Sequence, residues 1–381
     1  MKFQRLEKRI PLSIPTMHGE ERKFVEEAFD TNWIAPVGPN VDAFEKEMAE
    51  YLDIEGTSAV SSGTAALHLA YKLADIGKDD IVLVQDLTFS ATVNPIIYQN
   101  AIPVFIDSDR ETWNMDPEAL RIALDKYKDR VKAVVVVHLY GIPSKLDEIL
   151  ELCEEYNVQL IEDAAESLSA TYKGKQTGTF GKYAGISFNG NKLITTSSGG
   201  MVLSSDKKAT DKAKFWATQA KDPAPWYQHT EIGYNYRLSN VLAGIGRGQL
   251  LHLEEHKDLK TKIYKTYEKD FDGLPISMNP YLEDSVPSFW LSAMIINEEA
   301  YKNGLDPEEL RRFLDACNIE ARRIWKPMHL QPVFQEYDYV IAEESSVTED
   351  IFARGLCLPS DIKMTEDEQK LVIKAIKEFV G

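Results

Sequence analysis

Lys192 stands at the end of the run Ser187-Phe188-Asn189-Gly190-Asn191-Lys192, and Ser197-Ser198-Gly199-Gly200-Met201 follows shortly after. An apolar strand, Ala184 to Phe188, leads into a polar turn, and the lysine sits in that turn beside a serine and paired glycines. A partly desolvated ammonium in such a place has a lowered pKa, and its free amine can attack a carbonyl to form an imine. The competing reading is a solvated loop lysine, the common state of that residue. A second group is Glu162-Asp163-Ala164-Ala165-Glu166, after the apolar run Gln159-Leu160-Ile161. Ligands of open α/β sheets gather beyond the carboxyl ends of strands. A carboxylate there favours the protonated form of a heterocyclic nitrogen, although taken alone Asp163 reads better as a cap of the next helix. The third group is Ser61-Ser62-Gly63-Thr64-Ala65-Ala66-Leu67-His68. Small residues opening an apolar helix leave backbone N–H groups free at its positive end, where a phosphate dianion can sit. Serine and threonine also cap helices for stability alone.

Together the three groups offer a phosphate cup, an acid at a strand end and a reactive lysine, in that order along an α/β frame. Pyridoxal 5′-phosphate has the matching phosphate, ring nitrogen and aldehyde. Phe89, in Leu87-Thr88-Phe89-Ser90, is placed either to stack on such a ring or to pack in the core.

The elements that must position these groups are visible as patterns. The runs Ile81–Val84, Pro103–Ile106, Ala133–Val137, Gln159–Ile161 and Gly185–Phe188 are short, apolar and rich in β-branched residues. They lack polar alternation, as strands buried on both faces do. Helical stretches lie between them, such as Asp116 to Asp125, opened by a cap and proline, and Ser144 to Tyr156. Alternation of this kind predicts a mostly parallel sheet covered on both sides. Leu238 to Asp270 reads as one long helix, and a strand over Phe289–Ile296 and helices over Pro307–Cys317 and Glu366–Val380 follow. The expected division is an N-terminal arm and large α/β domain over residues 1–259 and a smaller α+β domain over 260–381.

The 381 residues, 44% hydrophobic and 10% aromatic, suffice for a sizeable core. A net charge of −18 argues against nucleic acid as a partner. An anionic ligand then needs individual cations or helix N-termini. Three cysteines, Cys153, Cys317 and Cys357, fit neither a disulfide framework nor a zinc site, so no metal is expected and a reducing cytoplasm is. The N-terminus shows no signal peptide, and no apolar run is long enough to span a membrane.

The sequence resembles the DegT/DnrJ/StrS-type sugar aminotransferases over nearly its whole length. The resemblance rests on Asn32-Trp33-Ile34-Ala35-Pro36-Val37-Gly38, Ser62-Gly63-Thr64-Ala65-Ala66-Leu67-His68, Glu162-Asp163-Ala164-Ala165-Glu166 and Asn189-Gly190-Asn191-Lys192. Gly233-Tyr234-Asn235-Tyr236-Arg237-Leu238-Ser239 and Trp325-Lys326-Pro327-Met328-His329-Leu330-Gln331 add to it. It implies the fold type I (aspartate aminotransferase-like) architecture and pyridoxal 5′-phosphate as cofactor. By the same resemblance Lys192 forms the imine and Asp163 pairs with the pyridine nitrogen. Gly63, Thr64 and Ser187 bind the phosphate, with Ser62 in the cup. Asn235 is implied to reach the phosphate from a neighbouring subunit, which makes a homodimer the catalytic unit. Glu166 lies near the ring hydroxyl, where many relatives carry Gln; Glu there occurs in the bacillosamine branch. Sugar dehydratases of related sequence have histidine in place of the lysine.

Trp33, Arg237, Trp325, Lys326 and His329 are candidates for the substrate pocket, each with a structural alternative. The implied reaction moves an amino group from L-glutamate to C4 of a UDP-linked 4-keto-6-deoxy-N-acetylhexosamine, as in bacillosamine biosynthesis. The alternatives are a GDP-linked, perosamine-type acceptor and a non-catalytic regulatory protein on the same fold. A nicotinamide enzyme lacks support, because no Gly-x-Gly-x-x-Gly follows the early strands.

Overall fold

The computed structural model describes residues 4–381. The apolar runs form a mixed sheet that is eight-stranded among the described residues. Its order is Gly56–Val60, Gly200–Ser204, Tyr183–Ser187, Gln159–Asp163, Val131–Val137, Ile81–Gln85, Ile102–Ile106 and Tyr339–Val340. Gly200–Ser204 pairs antiparallel with both neighbours; the other pairings are parallel.

Alternate strand residues point to opposite faces, and both faces are covered. Leu83, Val104, Val134, Val136 and Leu160 pack with the helices Pro117–Tyr127 and Leu146–Glu155 through Leu120, Leu124, Ile149 and Leu152. Val82, Val84, Phe105, Val135 and Ile161 pack with the helices Gly63–Leu73 and Ser90–Tyr98 through Leu67, Tyr71, Val93 and Ile96. This two-sided burial is why the strands read as unbroken apolar runs.

Two edge features were not legible. Gly56–Val60, Gly-Thr-Ser-Ala-Val, lacks an apolar run, and Tyr339–Val340 comes from far along the chain to extend the sheet beside Ile102–Ile106. The expected single helix from Leu238 is two, Asn240–Leu250 and Leu253–Asp270, broken at Leu251-His252. Each half serves a different neighbour. Gly244 and Gly248 let the first lie against the helix Glu20–Asp30, where an added Cβ would come within 3.1 Å of Phe24 Cβ and 2.5 Å of the Glu21 backbone nitrogen. The second carries Ile263 and Tyr267 into the C-terminal core. The expected boundary at residues 259 and 260 therefore falls inside a helix.

The C-terminal part holds an antiparallel sheet in the order Ile276–Met278, Ser292–Ile296, Gly355–Leu358 and Arg322–Arg323. The helices Pro307–Ala316 and Glu366–Val380 cover it. Ile10 from the arm is buried in the same core and bridges to Ile319. The strand expected from Phe289 begins only at Ser292, because Phe289 takes φ 46° and interrupts the extended backbone. Cys153, Cys317 and Cys357 are buried free thiols. No helix among the described residues is long and apolar enough to cross a membrane.

Candidate active site

The three chemical groups meet at one cleft of about 330 Å³ beyond the carboxyl ends of the central strands. Its wall includes Ser62, Gly63, Thr64, Phe89, Asp163, Glu166, Ser187 and Lys192, together with Trp290 and Trp325 from the C-terminal part.

The cup is built by close approach. Ser62 caps the helix Gly63–Leu73, its Oγ accepting from the Ala65 N–H at 3.1 Å. A Cβ on Gly63 would come within 2.8 Å of Ser187 Cβ, and one on Gly200 within 2.4 Å of the Ser62 carbonyl. Only glycine lets these backbones approach so closely. Ser198 Oγ donates to the Ser61 carbonyl at 2.7 Å, closing the loop after Lys192 onto the cup.

Asp163 ends its strand and is buried. Thr92 Oγ1 donates to Asp163 Oδ2 at 2.6 Å, so the Thr88 hydroxyl, 2.6 Å from Thr92 Oγ1, must donate in turn. The Ala165 N–H gives Oδ1 a bond of 3.1 Å. Burial raises this carboxyl above its ordinary value despite those bonds. A buried carboxylate that faces a cleft without a formal cation bonded to it is suited to a protonated ring nitrogen. The preceding Glu162 points the other way and is structural. Its carboxylate takes His138 Nε2 at 2.9 Å and the N–H groups of Gly178, Phe180 and Gly181 at 2.7, 2.7 and 2.6 Å. Burial opposes its ionisation, but His138 and the backbone donors outweigh that and hold it below the usual carboxylate range.

Lys192 follows a turn closed by its own N–H to the Asn189 carbonyl at 3.0 Å. Its side chain is only 13% exposed. The Nζ lies 3.2 Å from Glu166 Oε1 and 4.0 Å from the centroid of the Trp290 ring. Trp290 is fixed at both ends: its Nε1 donates to the Asn191 carbonyl at 2.6 Å, and its carbonyl accepts from the buried Lys260 Nζ at 2.9 Å. Glu166 Oε2 accepts from the Tyr140 N–H at 2.8 Å. Burial pushes the Glu166 carboxyl up to about 7, while Lys192 acts in the opposite direction. Phe89 is exposed at the mouth and packs on Trp325, ring centroids 5.4 Å apart.

Sequence reasoning missed Trp290 and Thr92. Trp290 lay in an expected strand, and a threonine in an apolar helix carries no catalytic signature. Other expected positions fall elsewhere. Arg237 takes the structural alternative within its own chain: its guanidinium is buried against Glu45 and donates to the Ala59 carbonyl at 2.9 Å, away from that chain's cleft. His329 also takes the structural alternative. Its Nδ1 is 2.7 Å from Asp86 Oδ2, its Nε2 is 3.3 Å from Glu349 Oε1, and its ring stacks on Tyr339 at 3.9 Å. Burial lowers the imidazole, but the two carboxylates more than compensate and leave it above its ordinary value. Lys326 is exposed outside the cleft wall. Trp33 is 46% exposed and also outside it. Asn235 is exposed, bridges to Thr218 and does not line the cleft of its own chain.

The sequence pattern of the DegT/DnrJ/EryC1/StrS aminotransferase family matches residues 15–377. The chain belongs to that family. It is 48% identical over 376 residues to "Putative pyridoxal phosphate-dependent aminotransferase EpsN" of Bacillus subtilis (strain 168), covering 97% of this chain and 96% of the relative. A "GDP-perosamine synthase" of Escherichia coli O157:H7 is 35% identical, covering 98% and 99%. Among solved structures, the aminotransferase TlmJ from Streptoalloteichus hindustanus superposes with a TM-score of 0.87 at 27% identity, over 97% of this chain and 98% of that one. The architecture is fold type I, and the protein is a pyridoxal 5′-phosphate-dependent sugar aminotransferase acting on a sugar nucleotide. The cleft suits that cofactor: a glycine-walled cup, a buried carboxylate and a shielded lysine surround one space.

Proposed function

We propose that this aminotransferase moves the amino group of L-glutamate to C4 of a UDP-linked 4-keto-6-deoxy-N-acetylhexosamine, releasing 2-oxoglutarate and the UDP-4-amino sugar. The observation that carries the transamination chemistry is the placement of Lys192 Nζ, 3.2 Å from Glu166 and against Trp290, in a cleft it shares with Asp163. Bound pyridoxal 5′-phosphate supplies an aldehyde that condenses with amines and a ring that takes up the electron pair of a broken C–H bond.

The residues divide the work. Ser62, Gly63, Thr64 and Ser187 would hold the phosphate, and Asp163, kept in place by Thr92, would hold the ring nitrogen in its protonated form. Lys192 Nζ, at the centre of the cleft, would be the amine that holds the cofactor's aldehyde and the acid and base that moves the proton. Glu166, with a carboxyl near neutrality, accepts or returns a proton at Lys192 Nζ. Trp290, Trp325 and Phe89 keep bulk water from the reacting carbon and give the deoxysugar an apolar face. Asn235 contributes from a second copy of the chain, which makes a homodimer the working unit.

The choice of acceptor rests on the resemblance of Glu166 and of the Asn189-Gly190-Asn191-Lys192 turn to the bacillosamine branch. A GDP-linked 4-keto-6-deoxymannose is the second reading, favoured by the relatives named GDP-perosamine synthase. The test offers both ketosugars, separately, to the purified enzyme with glutamate and follows 2-oxoglutarate. Turnover with the UDP sugar supports the proposal; turnover with the GDP sugar alone overturns it.

A further inference from the structure

Behind the cleft, the sequence His252-Leu253-Glu254-Glu255-His256 starts the helix Leu253–Asp270. The two histidines are one turn apart, so both imidazoles lie on one face. His18, 238 residues from His256 in sequence, comes in from the N-terminal arm and touches both. Its ring stacks on His252 with centroids 3.7 Å apart, and its Nε2 is 2.7 Å from His256 Nε2. Ligand atoms of His18, His252 and Glu255 all lie within 4.8 Å of one another.

We propose that His18, His252 and Glu255 form a binding site for a divalent transition metal of the zinc class, with His256 holding His18 from behind at 2.7 Å, which ties the arm to the back of the Lys192 turn. Two imidazole nitrogens with one carboxylate oxygen, leaving a position for water, are a donor set that zinc takes in thiolate-free sites. The outward ring nitrogens are engaged as they are in metal sites, where the nitrogen opposite the ligating one meets a carboxylate or a carbonyl. His256 Nδ1 donates to the Leu193 carbonyl at 2.7 Å, leaving Nε2 as a lone pair turned toward His18. His252 Nδ1 faces Glu255 Oε2 at 2.9 Å, and its Nε2 faces Glu20 Oε2 at 3.3 Å.

The backbone that carries His18 is also pinned. The N–H groups of His18 and Gly19 both donate to the Glu21 carboxylate, at 3.2 and 2.7 Å, and Gly19 turns the chain at φ 115°. His256 is buried, His18 and His252 are half-buried and Glu255 is exposed, so an ion has a path in from solvent. The helical half shows in the sequence as a histidine pair four residues apart, but the third imidazole does not, because the arm supplies His18 from so far away. The site is separate from the cofactor cleft, and the inference does not depend on which sugar the enzyme uses.

The test strips the full-length, cofactor-loaded enzyme with a chelator and titrates it with zinc chloride, using calorimetry and elemental analysis of the dialysed complex. One zinc per chain and a raised melting temperature are expected. The His18→Ala, His252→Ala double variant should lose stoichiometric zinc. Glu20→Gln, which removes only an outer partner, should weaken binding roughly 10–100-fold. Cobalt(II) gives a readout independent of the variants: visible ligand-field bands at one equivalent support imidazole ligation. Absence of stoichiometric zinc in the parent enzyme, or equal binding by the double variant, would overturn the proposal and leave a hydrogen-bonded histidine cluster.

Discussion

Replacing Glu166 by glutamine tests the electrostatics of the cleft directly. The side chain keeps its shape and its bond from the Tyr140 N–H but can no longer ionise. In the folded protein, burial lifts the Glu166 carboxyl from 4.5 to about 7, against the pull of Lys192. The folded state thus holds a proton that the unfolded chain has released between those values. The resulting stabilisation is fully present below about pH 4.5 and is lost as pH rises through about 7. At about 1.4 kcal/mol per pH unit, that interval corresponds to roughly 3 kcal/mol. Glutamine carries no such dependence. The stability of Glu166→Gln relative to the parent should therefore climb by roughly 3 kcal/mol between pH 4.5 and pH 8. Urea unfolding of the cofactor-free protein at a series of pH values measures it, with the difference between the two proteins at each pH as the observable. Shared titrations elsewhere in the chain cancel in that difference. A flat difference across the range, or one that falls as pH rises, would refute a buried carboxyl near neutrality beside Lys192.

Three further outcomes follow from the same geometry. Lys192→Ala should fold, since the side chain packs against Trp290 at the cleft rather than in the core, yet lose all turnover; measurable transamination by that variant would remove the basis for the assignment. Gly63→Ala places a methyl group 2.8 Å from Ser187 Cβ, so the cup must open and cofactor affinity should fall, read by fluorescence titration of the stripped enzyme; undiminished affinity would show that the cup is not the phosphate site. Arg237→Leu leaves the Glu45 carboxylate with Lys214 at 3.1 Å and the Ala59 N–H at 2.7 Å but without its buried cation, and should lower stability by about 3 kcal/mol while the KM for sugar nucleotide stays unchanged. An increase in KM at unchanged melting temperature would return Arg237 to the substrate.

Much of the fold is local information. The runs at Ile81, Ala133 and Gln159 read as buried strands because each is covered on two faces, and that demand shapes composition directly. Asp116-Pro117 marked a helix start that the structure bears out, with Asp116 accepting from the Glu118 N–H at 3.0 Å. The order of cup, acid and lysine along the chain, with the glycines that the cup requires, was equally plain. What failed were readings that depended on distant partners. Leu238 to Asp270 looked like one helix because helical periodicity survives a two-residue break, whose cause is that the halves pack on different cores.

The sequence by itself determined that Asp163 ends a central strand and that Lys192 sits in the turn following one, because strand, turn and side-chain type are set by neighbouring residues. Only the tertiary structure decided what each charged or aromatic side chain meets. His329 and Arg237 sit in motifs that suggest substrate binding, yet they are held by Asp86 and Glu45, 243 and 192 residues away. Trp290 was an unremarked strand residue until folding set it 4.0 Å from the lysine. A side chain's chemistry is written in its type, but the partner that uses it or satisfies it is chosen by packing between segments that sequence proximity does not relate.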